Sequence, residues 1–157
     1  MTSDDPAGSE SATEYVTVVL DGQCFGLPIG RVQDVFMLQQ LTRVPLSGPE
    51  IAGILNLRGR IVTAVDLRCR LGLPPRPDGA PPMAVGIEWH GESYGLLVDA
   101  VGEVLKLADA GREPNPVNLD PKFARVSNGL HRLQAQLLVV LDVERVLDPA
   151  AAEPIAA

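Results

Sequence analysis

The sequence is short of several things that would each have pointed to a class of function. Basic residues are outnumbered: 13 Lys+Arg stand against 20 Asp+Glu, a formal net charge of −7. No basic cluster is dense enough to neutralise several phosphates, which argues against nucleic-acid binding. The same balance argues against adhesion to anionic lipid. There are two cysteines, Cys24 and Cys69, each inside an apolar segment and neither with a Cys or His at metal spacing. Two reduced thiols packed as small apolar groups are expected, rather than a disulfide. No apolar run reaches the ~20 residues that a membrane-spanning helix needs. The opening "MTSDDPAGSESATE" has no cationic stretch followed by an apolar one, so no secretory signal is expected and a cytosolic protein is.

Catalytic signatures are missing as well. No G-x-S-x-G and no glycine-rich phosphate loop occurs, and neither histidine, His90 nor His131, has a ligand-spaced neighbour. No metal and no cofactor are expected. Asp66 and Asp142 read as helix caps rather than as an acid–base pair. Glu88, Glu92 and Asp99 read as a solvated rim. The single tryptophan, Trp89, reads as a residue at the edge of the core or as an interface anchor.

What remains is an ordinary globular composition, 157 residues with 46% hydrophobic and 21% charged. That is one domain, or two small subdomains sharing a core. Residues 1–13 are small, polar and acidic and are expected to be disordered, and residues 149–157 read as a tail. The proline-rich "LPPRPDGAPP" (73–82) can neither continue a helix nor fill a ladder, and reads as a linker. It divides a first subdomain at about 14–72 from a second at about 83–148, within one domain whose strands can interleave.

Strand signals dominate: "YVTVVL", "CFGLPI", "RIVTAVDL", "MAVGIEW", "YGLLV" and "LLVVLDV" are β-branched and apolar, with turn pairs such as Asp21-Gly22 between them. Asp66 opens a capped helical turn ended by Gly72, and Asp142 opens another closed by Pro149. "VQDVFML" (32–38) reads as core by default, with Val32 and Asp34 in a short helical turn after Gly30.

The chain also repeats itself. "GQCFGLPIGRVQDVFML" from Gly22 matches "GESYGLLVDAVGEVLKL" from Gly91 at an offset of 69. "GILNLRGRIVTAVDLRCRL" from Gly53 matches "GLHRLQAQLLVVLDVERVL" from Gly129 at an offset of 76. Two five-stranded β-barrels sharing an apolar seam are therefore expected, an all-β fold with short helical turns. The copies differ at the hairpin break, Arg58-Gly59-Arg60 in the first and Gln134-Ala135-Gln136 in the second. Gly59 supplies backbone freedom. Arg58 is either a solvated turn residue or a charged fork aimed at a partner.

"RVQDV" followed by "GILNLRGRIVTAVDLR", with "YGLLVDAVGEVLKL" later, resembles the CheW family of chemotaxis coupling proteins. The resemblance runs from about Tyr15 to Leu147. It implies two SH3-like barrels and no catalysis. It also implies an adaptor that bridges the signalling tip of chemoreceptors (methyl-accepting proteins) to the regulatory domain of the histidine kinase CheA. Such adaptors work in arrays under the inner membrane, with other copies of the coupling protein in rings. By motif, Arg58 falls on the family's receptor-contacting arginine. Val32 and Asp34 fall on coupling positions, Gly53 on the glycine before the signature hairpin, and Val101 and Val104 on second-barrel positions near the groove. Two alternatives are a coupling protein of a non-motility pathway and a small-ligand-binding β-barrel accessory protein.

Overall fold

A computed structural model describes residues 11–38, 41–42, 51–75 and 82–148. Among them the chain forms ten strands: β1 (Ala12–Leu20), β2 (Gln23–Pro28), β3 (Val32–Met37), β4 (Ile51–Leu57), β5 (Arg60–Asp66), β6 (Met83–Trp89), β7 (Glu92–Val98), β8 (Ala100–Ala108), β9 (Ser127–Arg132) and β10 (Leu137–Leu141). Three short helices join them, α1 (Leu67–Arg70), α2 (Pro121–Ala124) and α3 (Val143–Leu147), with single 3-10 turns at Ile29–Arg31 and Asp109–Gly111.

Local chemistry accounts for most of these boundaries. The hairpins turn at Asp21-Gly22, Arg58-Gly59 and His90-Gly91, where both residues of each pair have positive φ. This is the turn whose twist matches that of the strands it joins. Asp66 accepts from the N–H groups of Arg68 and Cys69, and Asp142 from those of Glu144 and Arg145, so each carboxylate caps a helix as its position implies. Gly72, at φ 77, ends α1.

The strands form two five-stranded sheets, in the orders β8-β1-β2-β10-β9 and β3-β6-β7-β5-β4. The repeat is real in three dimensions. Cys24 pairs with Leu138 in the parallel β2–β10 ladder, and their counterparts Ser93 and Val62 pair in the parallel β7–β5 ladder. Val16 pairs with Val104 as Val85 pairs with Val35, and each ladder carries a register shift beside that pair. Yet the sheets do not follow the two halves of the sequence. The β1–β2 hairpin recruits β8, β9 and β10 from beyond the proline-rich segment, while β3, β4 and β5 join β6–β7. The reason is geometric: after β2 and after β7 the chain crosses to the opposite sheet instead of folding back.

One apolar core serves both sheets. Val18, Leu20, Phe25 and Leu27 of the first pack in the same cluster as Val65, Val85, Ile87 and Leu96 of the second, joined by Leu71 and Val146 from the helices. Fully burying each such side chain is worth about 1.5–3 kcal/mol, which holds two small sheets together along the expected seam.

Several expectations change. Val32 and Asp34 lie in strand β3, because the 3-10 turn ends at Arg31. "VQDVFML" is not simply core: β3 is an edge strand, and its alternation leaves Val35 and Met37 exposed. Strand β1 reaches into the segment expected to be disordered, since Ala12 and Thr13 pair with Ala108 and Leu107. Cys24 is buried, but Cys69 is exposed on the outer side of α1. Asp99 is no rim residue, because Arg68 grips it from inside. The remaining tail residues, Pro149 and residues 76–81 lie outside the described residues.

Candidate functional site

The site is built around the tip of the β4–β5 hairpin. Leu57 and Arg60 close the hairpin as its last pair, and Asn56 Oδ1 accepts from the Gly59 N–H at 2.9 Å. Arg58 sits between them at φ 55. A left-handed conformation costs a non-glycine residue about 1 kcal/mol, and this turn type favours Asn, Asp or Gly at its first position. An arginine held there, with its side chain 81% exposed, is a local strain with no return in packing. Strain of this kind gathers at functional sites.

Asp34, on edge strand β3, faces this tip. Its Oδ2 lies 3.5 Å from Arg60 Nη2 and 3.9 Å from Arg58 Nη1. The other oxygen, Oδ1, is enclosed over Gly86 in the neighbouring strand β6. Strand β3 is one end of its sheet and β4 the other, so Asp34 reaches from one edge to the tip of the hairpin that carries the opposite edge. Beside them opens a cleft of about 750 Å³ lined by Phe36, Met37, Thr42 and Ile54–Leu57.

The remaining candidates fall into three settings. Val32 is half-buried on the same strand as Asp34 and packs on the common core. Gly53 is buried at φ 156, and a Cβ there would fall 2.5 Å from the Thr42 carbonyl oxygen. It therefore shapes the floor of β4 rather than offering a contact of its own. Val101 and Val104 lie on β8 in the other sheet. They are the repeat counterparts of Val32 and Val35, with Val104 exposed and Val101 half-buried. At the counterpart of the arginine tip, Leu133 N–H donates to the Gln136 carbonyl. Glu103 there corresponds to Asp34, but the neighbouring positions are Gln134 and Gln136.

Two contributors escaped the sequence reading. Arg60 is the nearer of the two arginines to Asp34, and only the proximity of the hairpin tip to β3 reveals it. Gly86 makes the room that the Asp34 carboxylate occupies. The nearest sequence signal was a glycine inside an otherwise apolar strand, which marks a close approach.

A model of the CheW-like domain matches residues 14–151, most of the chain. The chain belongs to the CheW-like family. Among curated members, the Chemotaxis protein CheW of Klebsiella aerogenes is 27% identical over 141 residues, covering 90% of this chain and 85% of that protein. The CheW of Thermotoga maritima is 27% identical over 135 residues, covering 86% and 87%. The crystal structure of the scaffolding protein TtCheW from Thermoanaerobacter tengcongensis superposes with a TM-score of 0.79 at 26% identity, covering 92% of this chain and 99% of that one. The two five-stranded sheets are thus SH3-like units of a CheW-like domain.

Elsewhere in this CheW-like domain, charge is handled structurally. Arg68 is buried, donates to both Asp99 oxygens at 2.9 and 2.7 Å and to the Pro74 carbonyl at 2.7 Å, and lies 3.8 Å from Asp21. The Asp99 hydrogen bond holds the guanidinium charged, above its ordinary value. His131 is buried against Tyr15 with ring centroids 5.6 Å apart, and burial, followed by the charge of Arg112, pushes its pKa down.

Proposed function

We propose that this chain is a non-enzymatic adaptor that couples the signalling tips of chemoreceptors to the histidine kinase CheA in chemosensory arrays on the inner face of the cytoplasmic membrane. The observation that carries the reading is Arg58: an exposed arginine held in a left-handed turn, beside an edge strand, in one copy of a repeat whose other copy has glutamine there. The first copy keeps a costly residue that folding does not require. Family membership over residues 14–151 supports the same reading.

In this picture an amphipathic receptor helix lies against the apolar positions Val32, Val101 and Val104, and Arg58 fixes its register by pairing with a carboxylate or with backbone carbonyls. Asp34 restrains the arginine pair, and Gly53 lets the chain at Thr42 pack close beneath. The regulatory domain of CheA and further copies of the coupling protein take other faces. Each contact is weak alone and gains strength from multivalency in the array. A ligand-binding barrel finds less support, because both faces of the β3–β7 sheet are filled, one by Val65, Val85 and Leu96 and the other by Ala64, Ala84 and Leu97.

The test is a binding assay with two partners, a soluble CheA fragment carrying the regulatory domain and a receptor signalling-tip fragment. Wild type should bind both, and Arg58→Glu should lose only the receptor. A wild type that binds neither would leave the CheW-like fold without the adaptor role.

A further inference from the structure

The chain passes from one sheet to the other at two repeat-related places, the Ile29–Arg31 turn between β2 and β3 and Asp99 between β7 and β8. The 69-residue offset carries Gly30 onto Asp99. Each crossing is gripped by the second residue of a capped helix, and these two residues are again counterparts, Arg68 in α1 and Glu144 in α3 at the 76-residue offset. At one crossing the buried Arg68 holds Asp99 through two hydrogen bonds. At the other the signs are reversed. Glu144 Oε2 lies 3.5 Å from Arg31 Nη2, and Glu144 Oε1 accepts from Trp89 Nε1 at 2.7 Å. Trp89 belongs to β6 of one sheet, while Glu144 follows β10 of the other, so this grip spans the seam.

The two grips differ in strength. Arg68 is 6% exposed, whereas the Glu144 and Arg31 side chains are 58% and 36% exposed. A buried, doubly hydrogen-bonded pair holds its geometry firmly, while an exposed ion pair backed by one indole hydrogen bond is weaker and its ionic part is screened by salt. The weaker grip guards the crossing that leads directly into β3. The Val32 N–H closes that 3-10 turn on the Ile29 carbonyl.

We propose that Glu144 is a positioning residue for the docking face: through Arg31 and Trp89 it holds the Ile29–Arg31 crossing and so sets the attitude of β3, which carries Val32 and Asp34. This rests on the adaptor reading above for its functional half, but not for its structural half.

The test compares wild type, Glu144→Ala, Arg31→Ala and the double variant by amide hydrogen exchange, by the fluorescence of the sole tryptophan and by affinity for a receptor signalling-tip fragment. Glu144→Gln, which keeps an acceptor for Trp89, serves if the alanine variant does not fold. Exchange over residues 29–34 should rise about twofold to fivefold, the range of an exposed ion pair. Exchange over residues 97–101 should stay unchanged. Receptor-tip affinity should fall by a similar factor, and Arg31→Ala should add little to Glu144→Ala. Unchanged exchange in a folded variant, or unchanged tip affinity with faster exchange, would overturn the proposal. If wild type does not bind the tip, the adaptor reading fails, and the exchange measurement still decides whether Glu144 holds the crossing.

Discussion

Asp34 and Gly86 share one space: a Cβ built on Gly86 would lie 2.0 Å from Asp34 Oδ1. The carboxylate is the movable partner, since it is the end of a side chain and Gly86 is the backbone of a paired strand. Gly86→Ala should therefore swing Asp34 away from Arg58 and Arg60 without dismantling β6. The expected outcome is a folded protein whose receptor-tip affinity falls as it does for Asp34→Ala. Loss of the folded baseline in circular dichroism would show that the strand, not the carboxylate, gives way.

Arg58 should behave as a residue kept against the interest of stability. Arg58→Asn places a residue suited to positive φ in the same turn and should raise unfolding free energy by about 0.5–1 kcal/mol. Arg58→Ala should stay within about ±0.5 kcal/mol. Both should weaken receptor-tip binding. Urea denaturation set beside binding isotherms separates the two effects, and an Arg58→Asn protein that loses stability would remove the strain argument.

Much of this arrangement can be read from short stretches. Strands such as "YVTVVL", the X-Gly turns and the Asp66 and Asp142 caps depend on neighbours in sequence, and the repeat announces itself by eye. Which sheet each strand joins is not local. It depends on where the chain goes after Pro28 and after Val98, and nothing in those residues states it. Asp99 looks like a rim carboxylate because its partner Arg68 is 31 residues away. Val32 and Asp34 read as part of a helical turn because a 3-10 turn does follow Pro28, but it stops at Arg31, just before Val32. At the candidate site, the Arg58–Arg60–Asp34 cluster depends on the β4–β5 tip reaching edge strand β3, 24 and 26 residues away in sequence.

Arg68 should be among the costliest surface-derived side chains to replace. Arg68→Ala removes both guanidinium hydrogen bonds from Asp99, which keeps the Asp21 N–H, and should cost about 1.5–3 kcal/mol. Arg68→Lys should recover only part of that, because an ammonium cannot reproduce the fork. Thermal unfolding of the two variants measures both.

Val65 is 3% exposed in the common core. Val65→Asp buries an unpaired carboxylate there and should abolish folding. A soluble variant with a native melting curve would contradict the placement of β5.

His131 gives stability a pH dependence with a defined sign. Burial holds its folded pKa below the unfolded value, so its contribution is fully present above about pH 6.5, the unfolded histidine value. It declines as pH falls from there toward the folded pKa, because the unfolded chain takes up the proton first. The charged and titratable groups around the ring are Tyr15, Asp109, Arg112 and Glu113. Urea midpoints between pH 5 and 8 should fall at the acid end in wild type and fall less in His131→Gln.

The exchange of strands between halves has a consequence for how the protein is made. Residues 32–98 contain the whole of the β3–β7 sheet, so that unit can pair on the ribosome before β8, β9 and β10 emerge. The β1–β2 hairpin emerges before that sheet yet must wait for β8 on one side and β10 on the other, with Cys24 finding Leu138 only once β10 has emerged. Until β8 emerges both flanks of an apolar hairpin are unpaired, and until β10 emerges the β2 flank still is, a template for association with neighbouring nascent chains. The β1–β2 hairpin is thus sheltered later than the strands that follow it, and a message truncated before β10 would yield a polypeptide with one finished sheet and one unpaired flank.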